Sequence, residues 1–453
     1  MKKALFFAAL TAASCVNSPV FAAAYQNEIN QIVNKIELPK IPDVSLDIKK
    51  FGAIANDGKN DLDAIQNAID TLSRQGGGKI VIPAGTWYCE GTVHLRSKIN
   101  LHLSQGAQLL FSTNTEHYLP VVKTRWEGTE MYGYSPLVYA ANVEDVAITG
   151  TGLIDGNLQS EFHPWYDKQQ PDMQTIRKMG IAGIPVEQRQ FGLGTFLRPS
   201  LIQFFGAKRI LLEGYTSKNS PFWVNHIVYA EHVTIRDIKV DSHFPNNDGV
   251  DLDSVKYAVV ENSHFRTGDD AVVIKSGRDK DGRDIAKPSQ YIVVRNNDMG
   301  GEDGIGLGSE MSGGISHVYF VDNVLRKGKA AIRFKGSLDR GGLVEHIRVA
   351  NLKIEEFDEV FWFQLNYPGV IQGGLPSIYR DIIFENIQVE KAKVVLEAHA
   401  YKDEPLSNVV FKNVTVNQAE TPFVLDNVTD LKLQALIING QRMDGNLSSI
   451  SQE

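Results

Sequence analysis

A short phrase recurs along the second half of this chain: a run of β-branched or aromatic residues, then Asn or Asp, then another apolar residue. It stands at 233–238, 257–262, 292–296, 318–322, 347–351, 382–386 and 409–413. The spacing, roughly 22 to 35 residues, is that of a solenoid, in which each repeat is one unit that buries its apolar face only against its neighbours. Within each unit lie two or three runs of strand length with alternating apolar residues, punctuated by Gly and Asn. The pattern predicts an all-β chain wound as a right-handed parallel β-helix. Because each coil of such a solenoid needs only the next, one domain can extend over residues 24–453. Helical periodicity is confined to two N-terminal places, Ile29, Ile32, Val33 and Ile36, then Ala64, Ile65, Ala68, Ile69 and Leu72. Both are expected to be short helices capping the open apolar end of the first coil. Residues 157–200 break the repeat. They are polar, carry Trp165 and Tyr166, and predict a long excursion of the kind that usually serves function.

Composition narrows the function classes. An apolar fraction of 43% and a charged fraction of 22% exclude a disordered chain, and a net charge of −8 gives no support to a nucleic-acid partner. The N-terminus reads as an export signal over 1–23: Lys2 and Lys3, an apolar run over 4–13 too short to span a bilayer, then small residues at Ala22, Ala23 and Ala24. No other stretch suggests a membrane span, so a periplasmic or extracellular protein, acting as a monomer, is expected. Cys15 falls inside the signal, which leaves Cys89 alone and expected as a small buried hydrophobe.

Aligning successive repeats by their own register brings chemistry together. Asp248-Gly249-Val250-Asp251-Leu252-Asp253-Ser254 matches Asp270-Ala271-Val272-Val273-Ile274-Lys275-Ser276, then Asp303-Gly304-Ile305-Gly306-Leu307-Gly308-Ser309, then Ala330-Ala331-Ile332-Arg333-Phe334-Lys335-Gly336. Val250, Val272, Ile305 and Ile332 form one inward column, so alternate positions face outward. The outward columns are Asp251/Val273/Gly306/Arg333 and Asp253/Lys275/Gly308/Lys335, with Asp248/Asp270/Asp303 at the strand entrance and Asn247/Asp269/Glu302 one position earlier. One face thus gathers carboxylates beside Arg333, Lys335 and Lys275. Neighbouring coils lie about 4.8 Å apart. Inverting glycosidases need two carboxyls about 6.5–9.5 Å apart and retaining ones about 5–5.5 Å, so the stack can supply either spacing. Crowding raises at least one carboxyl pKa, as a general acid requires. Asp ladders also cap turns in β-helices, and such a cluster suits calcium, although the three cations argue against that ion. The His residues show no metal-ligand spacing, and there is no phosphate loop.

At these residues the chain resembles glycoside hydrolase family 28, the polygalacturonases. The family's Asn-Thr-Asp-Gly is similar to Asn246-Asn247-Asp248-Gly249, its Gly-Asp-Asp to Gly268-Asp269-Asp270, and its Arg-Ile-Lys to Arg333-Phe334-Lys335. Asn219-Ser220-Pro221-Phe222-Trp223, Lys275-Ser276-Gly277-Arg278 and Gly308-Ser309-Glu310-Met311-Ser312-Gly313-Gly314 match too. The resemblance implies Asp269 as general acid, Asp248 and Asp270 as the pair that holds and deprotonates water with inversion, and Arg333 and Lys335 as binders of a galacturonate carboxylate. It implies a pectic polysaccharide or oligogalacturonide substrate and no cofactor. Further substrate contacts are expected at Asn246, Lys275, Tyr367, which offers a ring to a sugar or to packing, and His226, in core or cleft. Where the family has Gly-His-Gly, this chain has Gly301-Glu302-Asp303. Glu302 is expected over Asp269, raising its pKa or admitting a different sugar, which makes rhamnogalacturonan the alternative substrate. A calcium-dependent pectate lyase and a non-catalytic polysaccharide-binding β-helix are the remaining rivals. The 157–200 excursion is expected to wall off one end of the cleft and favour cleavage from chain ends. Arg278, Asp279, Asp281 and Arg283 read as a solvated charged loop.

Overall fold

The computed structural model describes residues 21–449, with side chains from Tyr25 onward. The expected export signal, Cys15 included, lies outside the described residues except for the backbone of its last few. The recurrent Asn or Asp has a local cause. Asp237, Asn262, Asn296, Asp322, Asn351, Asn386 and Asn413 all sit in the left-handed region with φ between 53° and 58°. Short polar side chains tolerate that conformation better than other L-residues do, so each marks a corner between strands. The corners stack: Asn351 donates to Asp322 at 3.0 Å, Asn386 to Asn351 at 3.4 Å and Asn413 to Asn386 at 2.7 Å.

Between corners the strands pair in parallel with the strand one coil away, as a right-handed β-helix requires. One inward column runs Ile80, Leu101, Ile148, Leu212, Ile235, Val260, Val294, Phe320, Val349, Phe384, Phe411 and Leu433. Every member is buried, and one continuous apolar core fills the solenoid along its length. Cys89 lies in that core as a buried hydrophobe. At the far end the strand Gln441–Ser449 turns back antiparallel against Val428–Ile438.

The two predicted helices exist but have different tasks. Helix α1 (Phe21–Lys35) does not seal the first coil: Ile29 and Ile32 pack on Val259, Val293, Tyr319 and Val321, on the outer face midway along the solenoid. That face is apolar and needs cover, and Tyr319 donates its hydroxyl to Glu28 to fix the helix there. Helix α2 (Leu62–Arg74) is the cap, with Ala64, Ile65, Ala68, Ile69 and Leu72 buried in the main core. Periodicity shows that a helix has an apolar stripe, not which surface it covers. Ile32→Ala is expected to weaken α1 docking by about 2–4 kcal/mol, seen as faster amide exchange in α1, with kcat unchanged because no α1 residue lines the cleft.

The excursion is ordered. It holds α3 (Gln170–Ile181), and its strand Gln190–Phe191 joins the hairpin Val122–Trp126 and Thr129–Gly133 in a small separate sheet. The charged segment after Lys275 is not solvated. It forms α4 (Asp279–Ile285), in which Asp279 is ion-paired to Arg340 and Asp281 to Arg189 at 2.6 Å, all buried. Its charges are satisfied by partners far along the chain, which a local reading of a charge run cannot see.

Candidate active site

Strand register places the functional columns as the alignment of repeats predicts. Asp251 pairs with Val273 and Asp253 with Lys275, Val273 with Gly306, and Gly306 with Arg333. Asp270 pairs with Asp303 across the next step, and Gly306 explains how a carboxylate fits there. A Cβ at 306 would lie 2.6 Å from Asp270 Oδ1 and 2.8 Å from Val273 Cγ2, so only glycine leaves room.

Asn246, Asp248, Asp269, Asp270, Lys275, Lys335 and Tyr367 line one cleft of about 410 Å³ together with Trp223, Glu127, Arg177, Arg278, Ser309 and Glu310. Lys275 Nζ stands 3.4 Å from Asp248 Oδ2, 3.4 Å from Asp251 Oδ1, 3.3 Å from Glu310 Oε2 and 4.0 Å above the Trp223 ring. Lys335 Nζ donates to Asp270 Oδ2 at 2.5 Å. Arg333 sits beside the cleft rather than in its lining. Its guanidinium reaches Asp303 at 2.6 Å and Gln364 at 2.7 Å and lies over Trp362 at 4.2 Å. One oxygen each of Asp269, Asp270 and Asp303 fall within 4.8 Å of one another. The positive charge at that cluster is supplied by Lys335 and Arg333.

The carboxyls divide by environment. Burial, then the neighbouring Asp270, raises Asp269 to about 7, against the pull of Lys335. Asn246 donates to Asp269 Oδ2 at 3.4 Å, and Arg198 from the excursion holds Asn246 Oδ1 at 2.6 Å. Burial, then Asp251 and Asp269, pushes Asp248 well above the usual carboxylate range, and burial does the same to Asp251. Glu310 goes the other way: against burial, Lys275, Arg278 and Arg340 hold it far below its ordinary value. A proton-bearing carboxyl at neutral pH, beside carboxylates with cationic partners, is the arrangement acid–base cleavage of a glycosidic bond requires.

Residues 192–436 match the sequence profile of glycosyl hydrolases family 28. The solved exopolygalacturonase of Thermotoga maritima superposes with a TM-score of 0.90 at 36% identity, covering 93% of this chain and 99% of that one. The chain belongs to family 28. A probable polygalacturonase of Vitis vinifera is 29% identical over 400 residues, 83% of this chain and 74% of the relative. The exo-poly-alpha-D-galacturonosidase of Dickeya chrysanthemi is 25% identical over 455 residues, 89% and 72% of the two chains.

Two of the family 28 chain's expected site residues lie elsewhere. His226 is fully buried beneath the cleft, hydrogen-bonded to Gln203 at 2.8 Å and 3.6 Å from Asp253 Oδ2; the outward column it occupies is roofed by Trp223 and the 122–133 hairpin. Glu302 is exposed and does not line the cleft. The register shifts between Thr267 and Asp270, so the ladder resumes at Asp303, and the charges raising Asp269 are those of Asp270 and Asp303, not Glu302. Glu127, Arg177, Trp223 and Glu310 were not singled out from the sequence for this site. Glu310, Arg278 and Trp223 stood in the matching motifs. Glu127 and Arg177 come from the hairpin and α3, outside the repeat, where no register could place them. As a glycosidase, the protein is neither a lyase nor a non-catalytic binder. Among the described residues no helix is long and apolar enough to cross a membrane.

Proposed function

We propose that this family 28 glycosidase is an exported, monomeric exopolygalacturonase that hydrolyses α-1,4-galacturonosidic linkages of pectin with inversion. The observation that carries the reading is the raised Asp269 beside Asp270, with Lys335 ion-paired across the stack and Arg333 flanking it. Asp269 gives its proton to the glycosidic oxygen. Asp270, partnered by Lys335, takes the proton of the attacking water, and Asp248, whose own proton burial and Asp251 retain, hydrogen-bonds that water. Lys335 and Arg333 receive a uronate carboxylate on a face otherwise repulsive to it. Action from chain ends is supported by the hairpin and α3, which bring the paired Glu127 and Arg177 into the cleft lining, and by the exo-acting relatives. Rhamnogalacturonan as substrate rested on Glu302 beside the acid and on the missing family His; Glu302 is exposed and outside the lining, so the missing His is the ground that stands.

The test is product analysis on polygalacturonate with chelator present. Expected are new reducing ends without unsaturated uronate, galacturonate from the first minutes with no ladder of intermediates, and β-anomer appearing first by NMR. Mostly dimers and trimers from a long substrate would overturn exo action. Absence of new ends would overturn the substrate.

A further inference from the structure

Four charged side chains from four different elements stand together in the cleft lining. Glu127 is the tip of the hairpin, Arg177 lies on α3, Arg278 precedes α4, and Glu310 follows the third coil's strand. Arg177 Nη2 donates to Glu127 Oε2 at 2.6 Å. Arg278 Nη1 donates to Glu310 Oε1 at 3.0 Å and lies 3.5 Å from Glu127, while its Nε lies 3.4 Å from Asp279. Among the described residues Glu310 alone hydrogen-bonds the Arg278 guanidinium, through Nη1, while Glu127 and Asp279 stand beside it at ion-pair distance. Nε and Nη2 are both buried with no hydrogen-bond partner among the described residues, on a side chain that lines the cleft. Arg278 is 2% exposed, so no bulk water relieves those donors at the surface.

A second observation gives the direction. Gly369, at φ +103°, lies on the loop after Tyr367, and a Cβ built on it would be 3.4 Å from Arg177 Nη1 and 3.4 Å from Arg278 Nη2. Two guanidinium groups thus converge on one point at the cleft wall, where glycine leaves the space open. Arg340 stands behind them, ion-paired to Asp279. A buried guanidinium with a free N–H is expensive to leave unmet, and the acceptor that satisfies such a fork best is a carboxylate.

We propose that Arg278, with Arg177 beside it, binds the carboxylate of the terminal uronate unit at this end of the cleft, so that the enzyme requires a charged sugar at the chain end. This rests on the exopolygalacturonase reading and adds a second carboxylate subsite, on the opposite side of the scissile bond from Lys335 and Arg333. Burial, then Arg340 and Arg177, lowers Arg278 to about 10, so it remains a cation at neutral pH and the cluster is receptive to one more anion.

The experiment compares trigalacturonate with its three singly methyl-esterified forms. In the wild-type enzyme, esterifying one terminal unit is expected to lower kcat/KM about 100-fold, because a site built to pair a polar group rejects the analogue lacking it. Esterifying the opposite terminal unit is expected to change it less than threefold. In Arg278→Gln the unesterified trimer slows, and the penalty for that one terminal ester disappears while the penalty for the middle ester, read by Lys335 and Arg333, persists. A merely structural role would slow all four substrates alike and keep their ratios, overturning the assignment. Arg177→Gln, on a helix outside the solenoid core, is expected to shrink the same terminal penalty several-fold and serves should the Arg278 variant not fold. Equal wild-type rates on the trimer and both terminal esters would overturn the proposal while leaving a polygalacturonase. No hydrolysis of the unesterified trimer would overturn that reading and the proposal together.

Discussion

Asp269→Asn is expected to lower kcat by about 10²–10⁴-fold, the range a positioned general acid contributes, with KM little changed and the fold intact. The sign of the pH dependence follows from the environment of the carboxyl. Burial and Asp270 raise Asp269 to about 7. A general acid works only while protonated, so wild-type kcat/KM should fall tenfold per unit as pH rises well above 7. The asparagine variant should lose that limb, its residual rate being flat across the same window. Stability should move with it: the folded state holds a proton that the unfolded chain releases near 4, so this group makes the wild type less stable as pH rises from about 4 to about 7. A pH–rate profile of both proteins checks the assignment, and a limb surviving in the variant would point to another acid.

The second large effect is expected at Lys275. Its ammonium is 4% exposed and stands within 3.4 Å of Asp248, Asp251 and Glu310. Lys275→Met keeps much of the volume and the contact with Trp223 but leaves three buried carboxyls without their shared cation. Removing one partner of a buried ion pair costs about 3–5 kcal/mol, so the denaturant midpoint should fall substantially at pH 7.5. The loss should shrink as pH falls toward 5. Of these carboxyls Glu310 is the one that Lys275 helps keep ionised, so without the ammonium the folded variant takes up a proton on Glu310 at higher pH than the wild type does. Falling pH therefore stabilises the variant relative to the wild type. A destabilisation independent of pH would mean that packing, not charge, is what Lys275 supplies.

The coil register was legible because a period-2 strand leaves little choice. Once Val250, Val272, Ile305 and Ile332 are assigned inward, Asp251, Gly306 and Arg333 must face outward, and the ladder agrees. The Asn corners were legible as a motif and explained by their φ values. Glu302 was misplaced because a strand irregularity between Thr267 and Asp270 breaks the one-to-one count on which the reading depends. His226 faces outward from its strand yet is buried, because the hairpin and the excursion cover that column. The burial of Arg278, and the presence of Glu127 and Arg177 in the cleft, depend on which distant insertions meet over the third coil. No periodicity carries that information.

The antiparallel strand Gln441–Ser449 bears on how such molecules behave in company. Each coil of a parallel solenoid offers the next the same evenly slanted row of N–H and C=O groups, so bare ends meeting in solution could elongate one another without limit. Here the last strand among the described residues runs the other way, and the edge it presents is spaced for antiparallel pairing, which a parallel coil does not match. At the opposite end α2 lies across the opening. The two ends are mismatched as templates, which works against growth into fibres when many copies crowd onto one polymer.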